Sequence, residues 1–368
     1  MFENLLSIAS RFNRHGRIID VREFGNGNIN NTFLVELADE SEKHFILQRI
    51  NTHVFRRPEL VMRNMRIATE HINKRLERDS IISGRRWEVP RILLAEGGRD
   101  HWIAPNGSFW RALSFIESAR SFDAVRDIGH AREVGCALGL FHTLLSDLAP
   151  ESLADTLPGF HITPLYLCRY EEVLAKKTPP KTKTPEVNYC LRFAREHEAF
   201  ANVLEDARAE GKLSLRPIHG DPKVNNFLLD SSTGECVSII DLDTVKPGLV
   251  HYDIGDCLRS ACNPMGEEIK DWEQTRFDTD VCRALLAGYF SRAREFLTGH
   301  DIDHIYDSVR LIAFELGLRF FTDYLEGDVY FKVKNPEHNL RRALVQFKLA
   351  ESIESQGDAI GAIIRDLT

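Results

Sequence analysis

The chain has 368 residues, a formal net charge of −8, 43% apolar residues and 28% charged residues. That is the balance of a soluble globular protein long enough for about two domains. The acidic excess excludes a broad surface for nucleic acid or anionic lipid, so an anionic ligand would have to be held locally by a cation and a few donors. Seven scattered cysteines with no C-x-x-C pair favour a reducing compartment over a disulfide scaffold. No run approaches the roughly 20 apolar residues of a membrane span. The N-terminal stretch MFENLLSIASRF has polar breaks where a signal peptide needs an apolar core, and the expected location is cytoplasmic.

Residues 3–13 carry apolar positions at helical spacing and predict a lead-in helix. A strand is expected at 18–24, a turn at Gly25-Asn26-Gly27-Asn28-Ile29-Asn30, and a returning strand at 32–37. A dinucleotide fold would need a third glycine and a helix here; neither is present. HFILQRI at 44–50 reads as a third strand, and Pro58 opens a predicted helix over 58–79. Strands are expected at 89–95 and 102–105, and FWRALSFIE at 109–117 is a longer β-rich run.

Beyond Ser121 the periodicity turns helical, with helices predicted at 128–148, 165–176 and 186–210 and an exposed Lys- and Pro-rich loop, KTPPKTKTP, at 177–185. His197-Glu198 opens like a zinc helix, but position 201 is Ala where a second His is required, which excludes a metalloprotease. Three further helices are expected near 273–296, 304–325 and 338–356, followed by a short tail.

The chemistry is concentrated in LRPIHGDPKVNNFLLDSSTGECVSIIDLDT, residues 215–244. Asp221 stands in a short loop with Asn226 five residues on, and a β-hairpin then delivers Asp241 and Asp243. One carboxylate to take a hydroxyl proton, with an amide and a second carboxylate as oxygen ligands for Mg²⁺, is the part set of a phosphoryl-transfer site. The bland alternative is a polar hairpin whose Asp and Asn residues serve turns. The two-part pattern, HGDxxxxN and then apolar-Asp-x-Asp at hairpin distance, weighs against it.

His219-Gly220-Asp221 and Asp241-Leu242-Asp243 resemble the catalytic and metal loops of the aminoglycoside phosphotransferase and choline kinase superfamily. The resemblance implies an α+β, bilobal, protein-kinase-like fold: a small N-terminal antiparallel sheet lobe (1–117) and a larger, mainly helical C-terminal lobe (118–368). It implies ATP and Mg²⁺ as cofactors, Asp221 as base, Lys223 beside it toward the γ-phosphate, and Asn226 and Asp241 on the metal, with Asp243 joining the metal or fixing the loop. Gly25, Gly27, Asn28 and Asn30 would cover the phosphates, and Phe115 and Ile116 would meet adenine. The family's strand lysine is missing: Gln48 and Arg49 stand in its region and point to opposite faces. Glu59 and Glu70 are candidates to pair with a strand cation. Asp253, near the start of a helix, would brace the catalytic loop, and His219 is expected to be structural.

The run 318–340, LRFFTDYLEGDVYFKVKNPEHNL, is dense in aromatic, Asp, Arg and His residues. With LQRINTHVF and HGDPKVNNF it is similar to the N-acetylhexosamine 1-kinases, which phosphorylate the anomeric hydroxyl of GlcNAc or GalNAc. That likeness puts Arg319 and Tyr330 against the sugar beside Asp221. The alternatives are a homoserine, choline or aminoglycoside kinase of the same fold, and a nucleotide-binding pseudokinase acting as an interaction module. A small-molecule acceptor and ATP are the implied partners, with no nucleic acid, membrane or obligate protein partner.

Overall fold

The computed structural model describes residues 5–12, 16–25, 29–38, 43–79, 82, 84–176 and 184–368. Gly27 and Asn28 of the expected phosphate turn, and the Lys-rich stretch at 177–183, lie outside the described residues. The fold is α+β, with an antiparallel sheet first and a mainly helical part after it.

Helix α1 (Leu5–Ala9) leads into strands β1 (Arg17–Glu23), β2 (Asn31–Ala38) and β3 (His44–Ile50). Helix α2 (Pro58–Arg78) precedes β4 (Ile92–Leu93), β5 (Trp102–Ile103) and β6 (Phe109–Ser114). Strands β1, β2, β3 and β6 lie side by side, and β4 and β5 each pair with β6. Alternation along the strands gives this sheet two distinct faces. Phe33, Leu47, Trp110 and Ala112 pack with Ile8 and Phe12 on one of them. On the other, Thr32, Gln48 and Arg111 stand in register as a single row across β2, β3 and β6.

Pro58 begins α2, where its missing N–H leaves no intrahelical bond unmade. The buried side of α2 is Val61, Met62, Met65, Ala68 and Ile72, and the last three join the large core of the helical part. Glu59 and Glu70, the candidates to pair with a strand cation, are both exposed.

After β7 (Ala119–Arg120) come α3 (Ile128–Leu145), α4 (Thr163–Ala175), α5 (Pro185–Glu196) and α6 (Val203–Ala209). Strands β8 (Arg216–Ile218), β9 (Phe227–Asp230), β10 (Cys236–Ile239) and β11 (Lys246–Gly248) carry the catalytic segment, as a β10-β9-β7 sheet and a β11-β8 pair. Helices α7 (Val250–Ala261), α8 (Thr279–Ala293), α9 (Gly299–Asp303), α10 (Ile305–Glu326), α11 (His338–Ser355) and α12 (Gly357–Leu367) complete the chain.

Three expectations of local structure need correction. The segment 89–95 is strand only at Ile92–Leu93. The helix expected over 186–210 breaks at His197, whose Nδ1 bonds the Phe193 carbonyl at 2.8 Å while Nε2 pairs with Glu354. The side chain thus uses an acceptor that helical continuation would need. The expected tail is helix α12, which buries Ile360, Ile363 and Ile364. No helix among the described residues is long and apolar enough to cross a membrane.

Helices α3 and α8 cross closely because glycines line the contact. A Cβ on Gly135 would stand 1.9 Å from the Leu285 carbonyl oxygen, and one on Gly288 would stand 2.0 Å from that of Arg132. Backbone cannot yield as a flexible side chain does, so Gly288→Ala is expected to cost about 1–3 kcal/mol of stability. Urea unfolding of the full chain measures this loss.

Candidate active site

The main chain of His219, Gly220 and Asp221 is buried, so each of its polar groups needs a partner. Asp253, in the first turn of α7, accepts from the His219 and Gly220 N–H groups, both at 2.7 Å. His142 of α3 donates to the same carboxylate at 2.8 Å. Burial pushes the Asp253 pKa up, but His142, His219 and the backbone donors outweigh it and hold the carboxyl below its ordinary value. The expected brace is therefore in place. His219 is itself fully buried, with Nε2 donating to the Ile240 carbonyl at 2.9 Å and Nδ1 accepting from the Asp221 N–H at 3.2 Å. Burial lowers its pKa, and this bond pattern is that of a neutral structural histidine.

The loop presents the Asp221 carboxylate, partly exposed, with Lys223 Nζ 2.7 Å from Oδ2. Desolvation lowers the Lys223 pKa, but Asp221 and Asp241 more than offset it, and the ammonium stays charged. Asn226 donates from Nδ2 to the Asp221 carbonyl at 2.7 Å, which reserves its other terminal atom, an oxygen, for a cation. The Ile240 N–H donates to the Asn226 carbonyl at 2.9 Å and ties the catalytic loop to the metal loop.

Asp241 lies in the left-handed region at φ 65°, a conformation Asp tolerates, and its side chain remains accessible. Surrounding protein, then Asp243, push its pKa up to about 7, opposed by Lys223. A carboxyl under that stress gains from a divalent cation. Among the described residues no three His, Cys, Asp or Glu side chains form a metal cage. Mg²⁺ held by one carboxylate, one amide oxygen and nucleotide phosphates needs none, so the donor set fits.

Of the two places expected for it, on the metal or fixing the loop, Asp243 matches the second by its bonds. It is 3% exposed; Oδ2 accepts from Asn30 at 2.6 Å, and Oδ1 pairs with Arg111, which is 1% exposed. Arg111 is the buried sheet cation that the sequence reading missed. A charge inside the otherwise apolar run FWRALS was its one signal, because a buried guanidinium requires a partner. Gln48 faces inward with it, its Oε1 accepting from Arg111 Nε at 2.9 Å and a terminal nitrogen at 2.7 Å. Arg49 is exposed and shares its sheet face with Leu47 and Trp110, so strand alternation turns it away from Asp243. At the chain's exit from the sheet, Phe115 packs edge-on against Phe24, ring centroids 5.9 Å apart, and Ile116 is buried. Gly25 lies at φ 75°.

Arg319 lies among three rings: its guanidinium carbon is 5.2 Å from the centroid of Phe160, 4.9 Å from Tyr166 and 5.7 Å from Phe331. Glu315 stands 3.8 Å from Arg319, but its two oxygens also take bonds from His161 Nδ1 at 3.0 Å and Thr163 Oγ1 at 2.8 Å. His161 Nε2 donates to the Gly220 carbonyl at 2.8 Å and joins this cluster to the catalytic loop. Tyr330 is 57% exposed, on a turn whose N–H groups at Val329, Tyr330 and Phe331 all donate to Asp323. Glu315, His161 and Asp323 were not singled out from sequence: the partners of Glu315 and His161 lie far along the chain, while Asp323 holds a turn a few residues ahead of it.

Desolvation lowers the His161 pKa from 6.5, but Glu315 outweighs it and the net shift is upward. Its stabilising contribution is therefore full below pH about 6.5 and is lost as pH rises through the raised folded value. His161→Asn, which keeps a residue tolerant of the φ of 65°, should cost more stability near pH 6 than near pH 9. Urea unfolding at the two pH values tests the difference.

The family model described as "Phosphotransferase enzyme family" matches residues 20–296, well over half of the chain. Among solved structures, the fold is similar to an aminoglycoside phosphotransferase of Alicyclobacillus acidocaldarius, with TM-score 0.62, 14% identity and coverage of 98% of this chain and 96% of that one. It is similar to amicoumacin kinase, solved with AMP-PNP and Ca²⁺, with TM-score 0.61, 15% identity and coverage of 97% and 94%. A choline kinase of Cryptosporidium parvum matches with TM-score 0.58, 15% identity and coverage of 94% and 91%.

Proposed function

As this chain belongs to the phosphotransferase enzyme family, we propose that it transfers the γ-phosphoryl group of ATP to the anomeric hydroxyl of an N-acetylhexosamine, GlcNAc or GalNAc. Asp221 accepts the hydroxyl proton as the sugar oxygen bonds to phosphorus and the bond to the ADP oxygen breaks. Asn226 and Asp241 hold Mg²⁺, which supplies charge neutralisation at the phosphates. Lys223, 2.7 Å from Asp221, orients the base and faces the transferred group. Gly25 and Asn30, with the exit segment at Phe115 and Ile116, form the nucleotide side of the cleft.

The observation that carries the acceptor reading is Arg319, a cation set among aromatic rings one loop away from Asp221. Rings provide faces for a sugar, and a guanidinium provides donors to hydroxyl or carbonyl oxygens. A quaternary ammonium or polyamine acceptor would meet like charge there. This argues against choline and aminoglycosides, and the intact Asp221, Asn226 and Asp241 argue against a pseudokinase, which needs no proton acceptor.

Asp221→Asn is expected to lower kcat about 10²–10⁴-fold with nucleotide affinity unchanged; steady-state kinetics with a nucleotide-binding titration decide this. An ATP-consumption screen over GlcNAc, GalNAc, other hexoses, homoserine, choline and aminoglycosides tests the acceptor. Turnover with an amine but no hexosamine overturns the sugar reading. Arg319→Met should raise the sugar KM about tenfold or more while leaving the KM for ATP unchanged.

A further inference from the structure

Kinase-like folds need a cation beside the nucleotide phosphates, and this strand offers only Gln48 at that place. The charge arrives instead from the neighbouring strand. Thr32, Gln48 and Arg111 sit directly across from one another on β2, β3 and β6. Gln48 Nε2 donates to Thr32 Oγ1 at 3.0 Å, while its Oε1 accepts twice from Arg111. The row ends on Asp243 of the metal loop, through its ion pair with Arg111. Asn30 completes a ring: Nδ2 donates to Asp243, and Oδ1 accepts from the Asn51 N–H at 2.9 Å. Helix α2 contributes no carboxylate to this ring, and its own tie to the region is different. Asn64 donates to the carbonyls of Ala154 and Val245 at 2.7 and 2.9 Å.

We propose that Arg111 and Asp243 form a buried clamp that replaces a strand-lysine to helix-glutamate pair, with Asp243 acting as the counter-ion of Arg111 and not as a ligand of the metal. The clamp joins the hairpin over the phosphates (Asn30, Thr32), the sheet (Gln48, Arg111) and the loop that carries Asp241. Arg111 and Asp243 are positioning residues: they set where Asp241 stands two residues away, and they leave it as the one carboxylate of that loop available to a cation. Both oxygens of Asp243 are already engaged, one by Asn30 and one by Arg111, and the side chain is 3% exposed. This rests on the nucleotide-site reading above.

The test is a double-mutant cycle on the full chain with Arg111→Met, Asp243→Asn and the pair, alongside Arg111→Lys and Asp241→Asn. It is read by metal-free urea unfolding, by calorimetric binding of Mg·AMP-PNP and by turnover. The clamp predicts that Arg111→Met and Asp243→Asn each weaken Mg·AMP-PNP binding about tenfold and shift the unfolding midpoint, and that the pair is no worse than either alone. Arg111→Lys restores part of the binding. Asp241→Asn loses metal-dependent binding with the unfolding midpoint unmoved. Independent, additive losses overturn the proposal, as does Arg111→Met binding normally while Asp243→Asn loses metal dependence. Should either single variant fail to fold, Arg111→Lys still decides, since binding and unfolding unchanged from the parent would exclude the clamp. If the unaltered protein binds no Mg·AMP-PNP, the nucleotide reading fails, while the metal-free unfolding cycle still reports whether the two residues are coupled.

Discussion

Three consecutive peptide groups, at His219, Gly220 and Asp221, set the terms for the rest of the molecule. They are enclosed by protein, and an unmatched buried N–H or C=O costs about as much as a lost hydrogen bond. Every one of their polar groups finds a partner. Asp253 takes two N–H groups and the His219 ring takes the third. Thr244 donates to the His219 carbonyl at 2.7 Å, His161 to that of Gly220 and Asn226 to that of Asp221. Gly220 lies at φ 87°, and a Cβ there would stand 2.8 Å from the Thr244 carbonyl oxygen, so glycine alone fits this close approach. The loop can therefore hold its carboxylate at a fixed place without being rigid in itself.

How much of this was legible in the chain follows from which forces are local. β3 was readable to its ends from alternation, and α2 nearly so, because Pro58 marks one end and a 3–4 spacing of apolar residues continues to Ile72. The catalytic segment was readable because its chemistry fixes residue types at short spacings. The break at His197 was not, since it depends on a ring reaching back to Phe193 and across to Glu354. Nor was Arg111, whose partners Gln48 on the neighbouring strand and Asp243 are visible only once the strand register is known. The Lys that the strand lacks was sought one position along the same strand, at Arg49. Pleating sends that residue to the wrong face, and the true neighbour is across the sheet.

An acidic chain that binds a nucleotide must place its cations with economy. Lys223, Arg111 and Arg319 are each held differently: Lys223 by Asp221, Arg111 by a buried counter-ion and Arg319 by aromatic faces with a shared glutamate. Of these three, Arg319 shares its anion, since Glu315 is also bonded by His161 and Thr163.

The glycine-lined crossing of α3 and α8 reaches further than its own packing. Gly139 admits the main chain of Tyr289, whose hydroxyl stands 3.0 Å from His142 Nδ1, and the far nitrogen of that ring holds Asp253. The separation of two helix axes is in this way transmitted, through one phenol and one imidazole, to the peptide groups that carry Asp221. Bulk added at this crossing would reach the Asp221 loop by that relay, although no described residue of the crossing touches the loop's carboxylate.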